Sequence, residues 1–165
     1  MGFWGDGKML KKNTDQQLYK CISNYVGESV YNDSFIFTTV RNPYSRAVSM
    51  FMHNSWNSIE NFHDFCDSIK RCEYPSAEAE WHCSRMTDHL TDGEVLKVDF
   101  VVRIEKFQQD VDILCEKVGI PRWMVSHQNK SNHKHYTEYY DDRTRSIVAE
   151  RYARDIEMFG YEFEY

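Results

Sequence analysis

No stretch of this sequence is long and apolar enough to cross a membrane as a helix, and the first residues hold no apolar signal-peptide core. Positive charge is also short: 20 Lys and Arg stand against 26 Asp and Glu, a net charge of −6. A general nucleic-acid binder needs a basic surface, so the balance argues against that class while leaving room for a local anion pocket. The five cysteines (Cys21, Cys66, Cys72, Cys83 and Cys115) are odd in number and lack the spacing of a disulfide framework. They read mostly as small buried apolar groups in a reducing compartment, with Cys66–Cys72 or Cys72–Cys83 as pairs if the chain is lumenal. A zinc set from His82, Cys83, His133 and His135 has no ligand spacing to support it, so no metal is expected. Internal repeats, low-complexity tracts and linkers are missing too. What remains is a globular composition, 41% hydrophobic and 15% aromatic, and a length of 165 residues suited to one domain.

The most informative stretch runs from Phe35 to Phe51. Phe35 to Val40 is apolar, aromatic and β-branched, as in a buried strand. Arg41-Asn42 breaks the run. Pro43 suits a first helical position and Asn42 the N-cap ahead of it. Ala47, Val48 and Phe51 then recur at helical spacing. A strand, a sharp turn and a helix place Arg41 at the carboxyl end of the strand, the edge where open α/β sheets bind ligands. Arg46 and Ser49 share one helix face. Two guanidinium groups and a hydroxyl near a helix N-terminus suit a phosphate.

Elsewhere the pattern is α-rich α/β. A helix is expected from Thr14 to about Val30, with Leu18, Ile22, Tyr25 and Val26 on its apolar face, and another from Ser58 to about Arg71. Ala77 to Leu90, carrying His82, Arg85 and His89, fits either a helix or an ordered loop. Thr91-Asp-Gly93 turns the chain into a strand over Leu96 to Ile104, and a helix follows from Glu105 to Val118, stopped by Gly119. Lys117 to Thr137 contains no Asp or Glu, a local reversal of sign that suits either a solvated loop or one wall of an anion site. A last helix spans about Asp141 to Met158. Gly2 to Lys8 has the glycine–lysine spacing of a nucleotide loop, but Met9 stands where that loop needs a hydroxyl and no strand comes before it.

Arg41-Asn-Pro-Tyr-x-Arg-x-x-Ser49 resembles the 3′-phosphate-binding motif of sulfotransferases that use 3′-phosphoadenosine 5′-phosphosulfate (PAPS), in the carbohydrate-type branch of Golgi enzymes and bacteria. The likeness continues through Val98–Asp110, through His127–Ser131 with Tyr136–Tyr140, and through Val148–Tyr161. It implies a P-loop-NTPase-like α/β fold with a small parallel sheet flanked by helices. It implies that Arg41 and Ser49 hold the cofactor's 3′-phosphate, with Arg46 as helper and Asn129, Lys130 and Ser131 near the nucleotide. His82 sits where relatives carry His-x-x-x-Gln, although Met86 replaces the Gln; it is the first candidate base, ahead of His53 and His63. Glu105 is expected to sit at a helix start, where a carboxylate suits the dipole. The family's Pro-Lys-x-Gly-x-Thr/Ser loop for the 5′-phosphosulfate does not occur, so an N-terminally truncated member is expected. Sulfuryl transfer needs an anchored donor, charge stabilisation and a base, and no metal. The resemblance therefore implies PAPS as donor, a carbohydrate or other hydroxyl acceptor, and activity or bare binding as alternatives. The compartment expected is the cytoplasm, or the Golgi lumen for a longer, anchored protein.

Overall fold

The computed structural model describes residues 18–53, 59–125 and 134–164. The glycine-rich start, the Thr14 cap, the Ser58 helix start and the loop residues Asn129, Lys130 and Ser131 lie outside the described residues.

In chain order the elements are α1 (Leu18–Val26), α2 (Glu28–Asn32), β1 (Phe37–Val40), α3 (Pro43–Phe51), α4 (Phe62–Arg71), α5 (Ala77–Cys83) and α6 (Met86–Leu90). A hairpin of β2 (Thr91–Asp92) and β3 (Val95–Leu96) follows, then β4 (Phe100–Arg103), α7 (Phe107–Val118), α8 (Asp142–Arg151) and α9 (Ala153–Phe159). β1 and β4 pair in parallel, with Phe37 opposite Phe100 and Val40 opposite Arg103. The α/β class is the one the sequence pattern suggests, and the small parallel sheet flanked by helices is the arrangement the family resemblance implies.

Most of the core lies on the helical side of the sheet. Ala47 and Val48 of α3, Phe65 and Ile69 of α4, Cys83 of α5, and Val148 and Tyr152 at the end of α8 pack into one buried cluster. Val40, Leu90 and Phe159 form a second, under the sheet end. The apolar cluster fits the apolar spacings of α3, α4 and α8, which is where burial stabilises most.

Several expected boundaries move, each for a local reason. Gly27, at φ 93°, splits the first helix into α1 and α2. The expected apolar face of α1 is partly open, with Ile22 and Val26 at the edge of exposure and Tyr25 well exposed. β1 is not fully buried: Phe35 and Phe37 face outward while Val40 is covered, because among the described residues β1 has only β4 beside it. α4 starts at Phe62, where the Asn61 side chain accepts from the Asp64 N–H at 2.9 Å and caps it. The strand expected over Leu96 to Ile104 is interrupted: the Asp99 carboxylate accepts from the Ile36 N–H at 2.7 Å, replacing a rung of the ladder. The final helix breaks at Tyr152, whose buried hydroxyl donates to the Cys83 carbonyl at 3.0 Å. No disulfide joins the five cysteines, and Cys66, Cys83 and Cys115 are buried as expected.

Candidate functional site

The turn from β1 to α3 is built around Asn42. Its side-chain oxygen accepts from the Tyr44 N–H at 3.0 Å, capping α3, and its amide donates to the Glu162 carbonyl at 2.9 Å. The Asn42 N–H donates to Glu105 Oε1 at 2.7 Å. Parallel pairing puts Val40 beside Arg103, so two residues on Glu105 arrives beside Asn42. Glu105 sits at a helix start, in the first turn of the short 3-10 helix Ile104–Lys106, as the sequence reading expects, and its carboxylate also binds the turn. It also accepts from the Tyr161 hydroxyl at 3.2 Å. The turn that presents Arg41 is thus tied to β4 and to the C-terminal segment.

Arg41 is half-buried, and its Nε donates to Ser45 Oγ at 3.0 Å. Its η nitrogens make no hydrogen bond among the described residues. Burial lowers its pKa, the Glu105 carboxylate opposes that shift, and the Arg46 guanidinium adds to it. An arginine so shifted stays charged at neutral pH. Ser49 lies one helical turn beyond Ser45 on the same side of α3, and it too has no hydrogen-bond partner among the described residues.

Arg46 points elsewhere. Its Nη2 donates to the His82 carbonyl at 2.7 Å, and its Nη1 lies 3.9 Å from Asp155 Oδ2, buried and without a hydrogen-bond partner. Asp155, fully buried on α9, accepts from the Met86 N–H at 2.8 Å, the Thr87 N–H at 2.9 Å and Thr87 Oγ1 at 2.7 Å. That carboxylate holds the first turn of α6 in place.

Arg46 lines a cavity of about 160 Å³, together with Thr38 and Thr39 of β1, Trp81, His82, Ser84 and residues of α6 that include His89. The His82 imidazole is half exposed, 3.8 Å from Glu78 Oε1, with the His53 ring 5.6 Å away. Burial lowers its pKa most, His53 lowers it further, and Glu78 opposes. His89 is also shifted down, first by burial. His63 lies apart, 3.8 Å from Asp141. A larger cavity of about 330 Å³ is lined by Glu60, Asp64 and Asp67 with Arg71, a charge pattern that repels anions. Among the described residues no three His, Cys, Asp or Glu side chains converge to hold a metal ion.

A strand–turn–helix presenting Arg41, and an adjoining cavity with Arg46 and two histidines, is an arrangement for handling anions and protons. A family model described as the Sulfotransferase family matches residues 7–162. The chain belongs to the sulfotransferase family. No curated protein and no solved structure matches it. Sulfuryl transfer is therefore the chemistry of the domain's family, and the family implies a hydroxyl-bearing acceptor.

Among the sequence-predicted site residues of this sulfotransferase domain, Arg46 and His82 meet in the cavity, while Arg41 and Ser49 lie along α3 by way of Ser45. The sequence reading gives no role to Ser45, Ser84 or Asp155, and names His89 only as part of the Ala77–Leu90 stretch. Ser45 had a signal, its spacing of four from both Arg41 and Ser49. Ser84 and His89 straddle a break between two short helices, where no periodicity operates.

Proposed function

We propose that this chain binds PAPS through its 3′-phosphate and directs the sulfuryl group to a hydroxyl of a carbohydrate. The observation that carries the reading is Arg41, whose η nitrogens have no hydrogen-bond partner among the described residues while Ser45 holds its Nε. A phosphate would supply acceptors to those nitrogens and to the Ser49 hydroxyl, along the side of α3 that Ser45 shares. The donor, when bound, supplies the activated sulfuryl group. Arg46 supports the reading as a second cation, with one buried N–H still unsatisfied. Asn129, Lys130 and Ser131 are proposed to contact the nucleotide. The carbohydrate acceptor rests on the likeness of the motif to the carbohydrate-type branch. The cytoplasm is proposed as compartment, from a cysteine set without disulfide-framework spacing, with the Golgi lumen as the alternative for a longer, anchored protein.

The fit is to one end of the donor. The sequence has no Pro-Lys-x-Gly-x-Thr/Ser segment, and no described residue is assigned to the phosphosulfate end. That observation favours a second reading, a domain that binds the nucleotide or a partner and transfers nothing, as a shortened family member would. Calorimetric titration with adenosine 3′,5′-bisphosphate tests the first reading; a folded sample giving no heat at millimolar ligand sinks it. A radiolabelled-donor assay separates the two, since labelled product from the 165-residue chain eliminates the second.

A further inference from the structure

The cavity beside Arg46 contains an arrangement that the anion site does not use. Ser84, the residue after α5, lies with its Oγ 2.6 Å from the Trp81 carbonyl and 2.6 Å from His89 Nε2. A hydroxyl has one proton, and a carbonyl can only accept. Both short contacts are hydrogen bonds only if Ser84 donates to Trp81 O and the His89 Nε2–H donates to Ser84. That fixes the neutral imidazole as the Nε2–H tautomer. Its lone pair is then on Nδ1, which has no hydrogen-bond partner among the described residues. The Trp81 ring, 4.2 Å from the imidazole, holds its plane.

We propose that His89, through Nδ1, is the proton acceptor of this cavity for the acceptor hydroxyl, with Ser84 as the positioning residue that sets its tautomer. The assignment rests on the sulfotransferase reading above. In the step, the hydroxyl oxygen forms its bond to sulfur and its proton passes to Nδ1. The bond between sulfur and the oxygen of the nucleotide's 5′-phosphate breaks, and its electron pair leaves on that oxygen. His89 then carries the proton as imidazolium.

The surroundings suit a neutral resting imidazole. Burial disfavours its charged form, and Arg46 from α3 acts in the same direction. Asp88 of its own helix and Asp155 of α9 act against that and would stabilise the imidazolium formed in the step. His82 lines the same cavity, but it is half exposed and, among the described residues, makes no hydrogen bond that selects a tautomer.

Nitrogen-15 spectra of the histidine rings, on the full chain with adenosine 3′,5′-bisphosphate added, test the assignment. His89 is expected to show a protonated Nε2 and a bare Nδ1, and Ser84→Ala to give a mixture of tautomers. Methyl β-galactopyranoside at high concentration is expected to shift the His89 Nδ1 resonance. His89→Gln is expected to lower sulfuryl transfer about 100-fold or more while leaving bisphosphate affinity within about twofold. A protonated Nδ1, a Ser84→Ala spectrum like that of the parent, or a glycoside shift confined to His82 overturns the assignment. A folded chain that does not bind the bisphosphate overturns the underlying donor reading, and this assignment with it.

Discussion

Arg41 Nε donates to Ser45 Oγ at 3.0 Å, so the side chain that ends β1 is held along the first turn of α3. One nitrogen is committed and the η nitrogens remain for a ligand. Arg41→Ala should weaken binding of adenosine 3′,5′-bisphosphate by about 1.5–3 kcal/mol, the range for a hydrogen bond to a charged group. Ser45→Ala leaves the charge and removes only the orientation, so its loss should be smaller. Calorimetric titration of both variants, with urea unfolding to confirm unchanged stability, checks the order.

Asp155 is fully buried and accepts from two N–H groups and one hydroxyl at the start of α6. Removing the carboxylate leaves those donors unsatisfied and strands the Arg46 guanidinium beside them. Asp155→Ala should cost at least about 3 kcal/mol of unfolding free energy. Asp155→Asn keeps one acceptor and should cost less. Urea unfolding curves of the two variants measure the difference.

The parts of the structure legible in the sequence are those governed by short-range rules. Asn42 and Pro43 announce the start of α3, and Gly119 and Gly160 mark helix ends that the chain does adopt, both with positive φ. The pairing of β1 with β4 was open to the same reasoning, but its consequence at Glu105 was not. That carboxylate reaches Asn42 because two strands 63 residues apart lie in one register, and no local pattern encodes that. The same holds for Asp155 and Thr87, which meet across 68 residues. Arg41 and Ser49 stood out by motif. His89 was visible as a histidine of Ala77–Leu90, but its pairing with Ser84 was not, since a pair across a helix break has no period to reveal it.

Acid should weaken the fold through His82 and His89. Burial lowers both folded-state pKa values, so the native state binds their protons less readily than the unfolded chain does. The resulting stability is present above the unfolded value of about 6.5 and is lost as pH falls below it toward the folded values. The charged neighbours are Glu78 and Arg46 around His82, and Asp88, Arg46 and Asp155 around His89. His89→Gln should flatten part of this acid limb. Unfolding midpoints measured in urea between about pH 7.5 and 5 give the slope for each protein.

The thiols should divide by burial. Cys66 and Cys83 are pushed up to about 12 by desolvation, so almost no thiolate exists at neutral pH, and Cys115 is shielded as well. Cys72 is exposed and follows the last residue of α4. A colorimetric disulfide reagent should label Cys72 rapidly in the native protein, and Cys66, Cys83 and Cys115 only after denaturation. Mass spectrometry of the early product identifies the site.

Cys72 is also the one described non-glycine residue with positive φ, at 56°. It terminates α4 in the left-handed region, where its N–H donates to the Ile69 carbonyl at 3.3 Å. An L side chain costs roughly 1–2 kcal/mol there, while glycine does not. Glycine also has more unfolded freedom to lose, which offsets part of the gain. Cys72→Gly should therefore stabilise the protein by somewhat less than about 1 kcal/mol. Cys72→Ala, which keeps the Cβ and removes the sulfur, should leave the urea midpoint near that of the parent. If Ala and Gly stabilise equally, the thiol itself is the source of the cost; if only Gly does, the backbone conformation is.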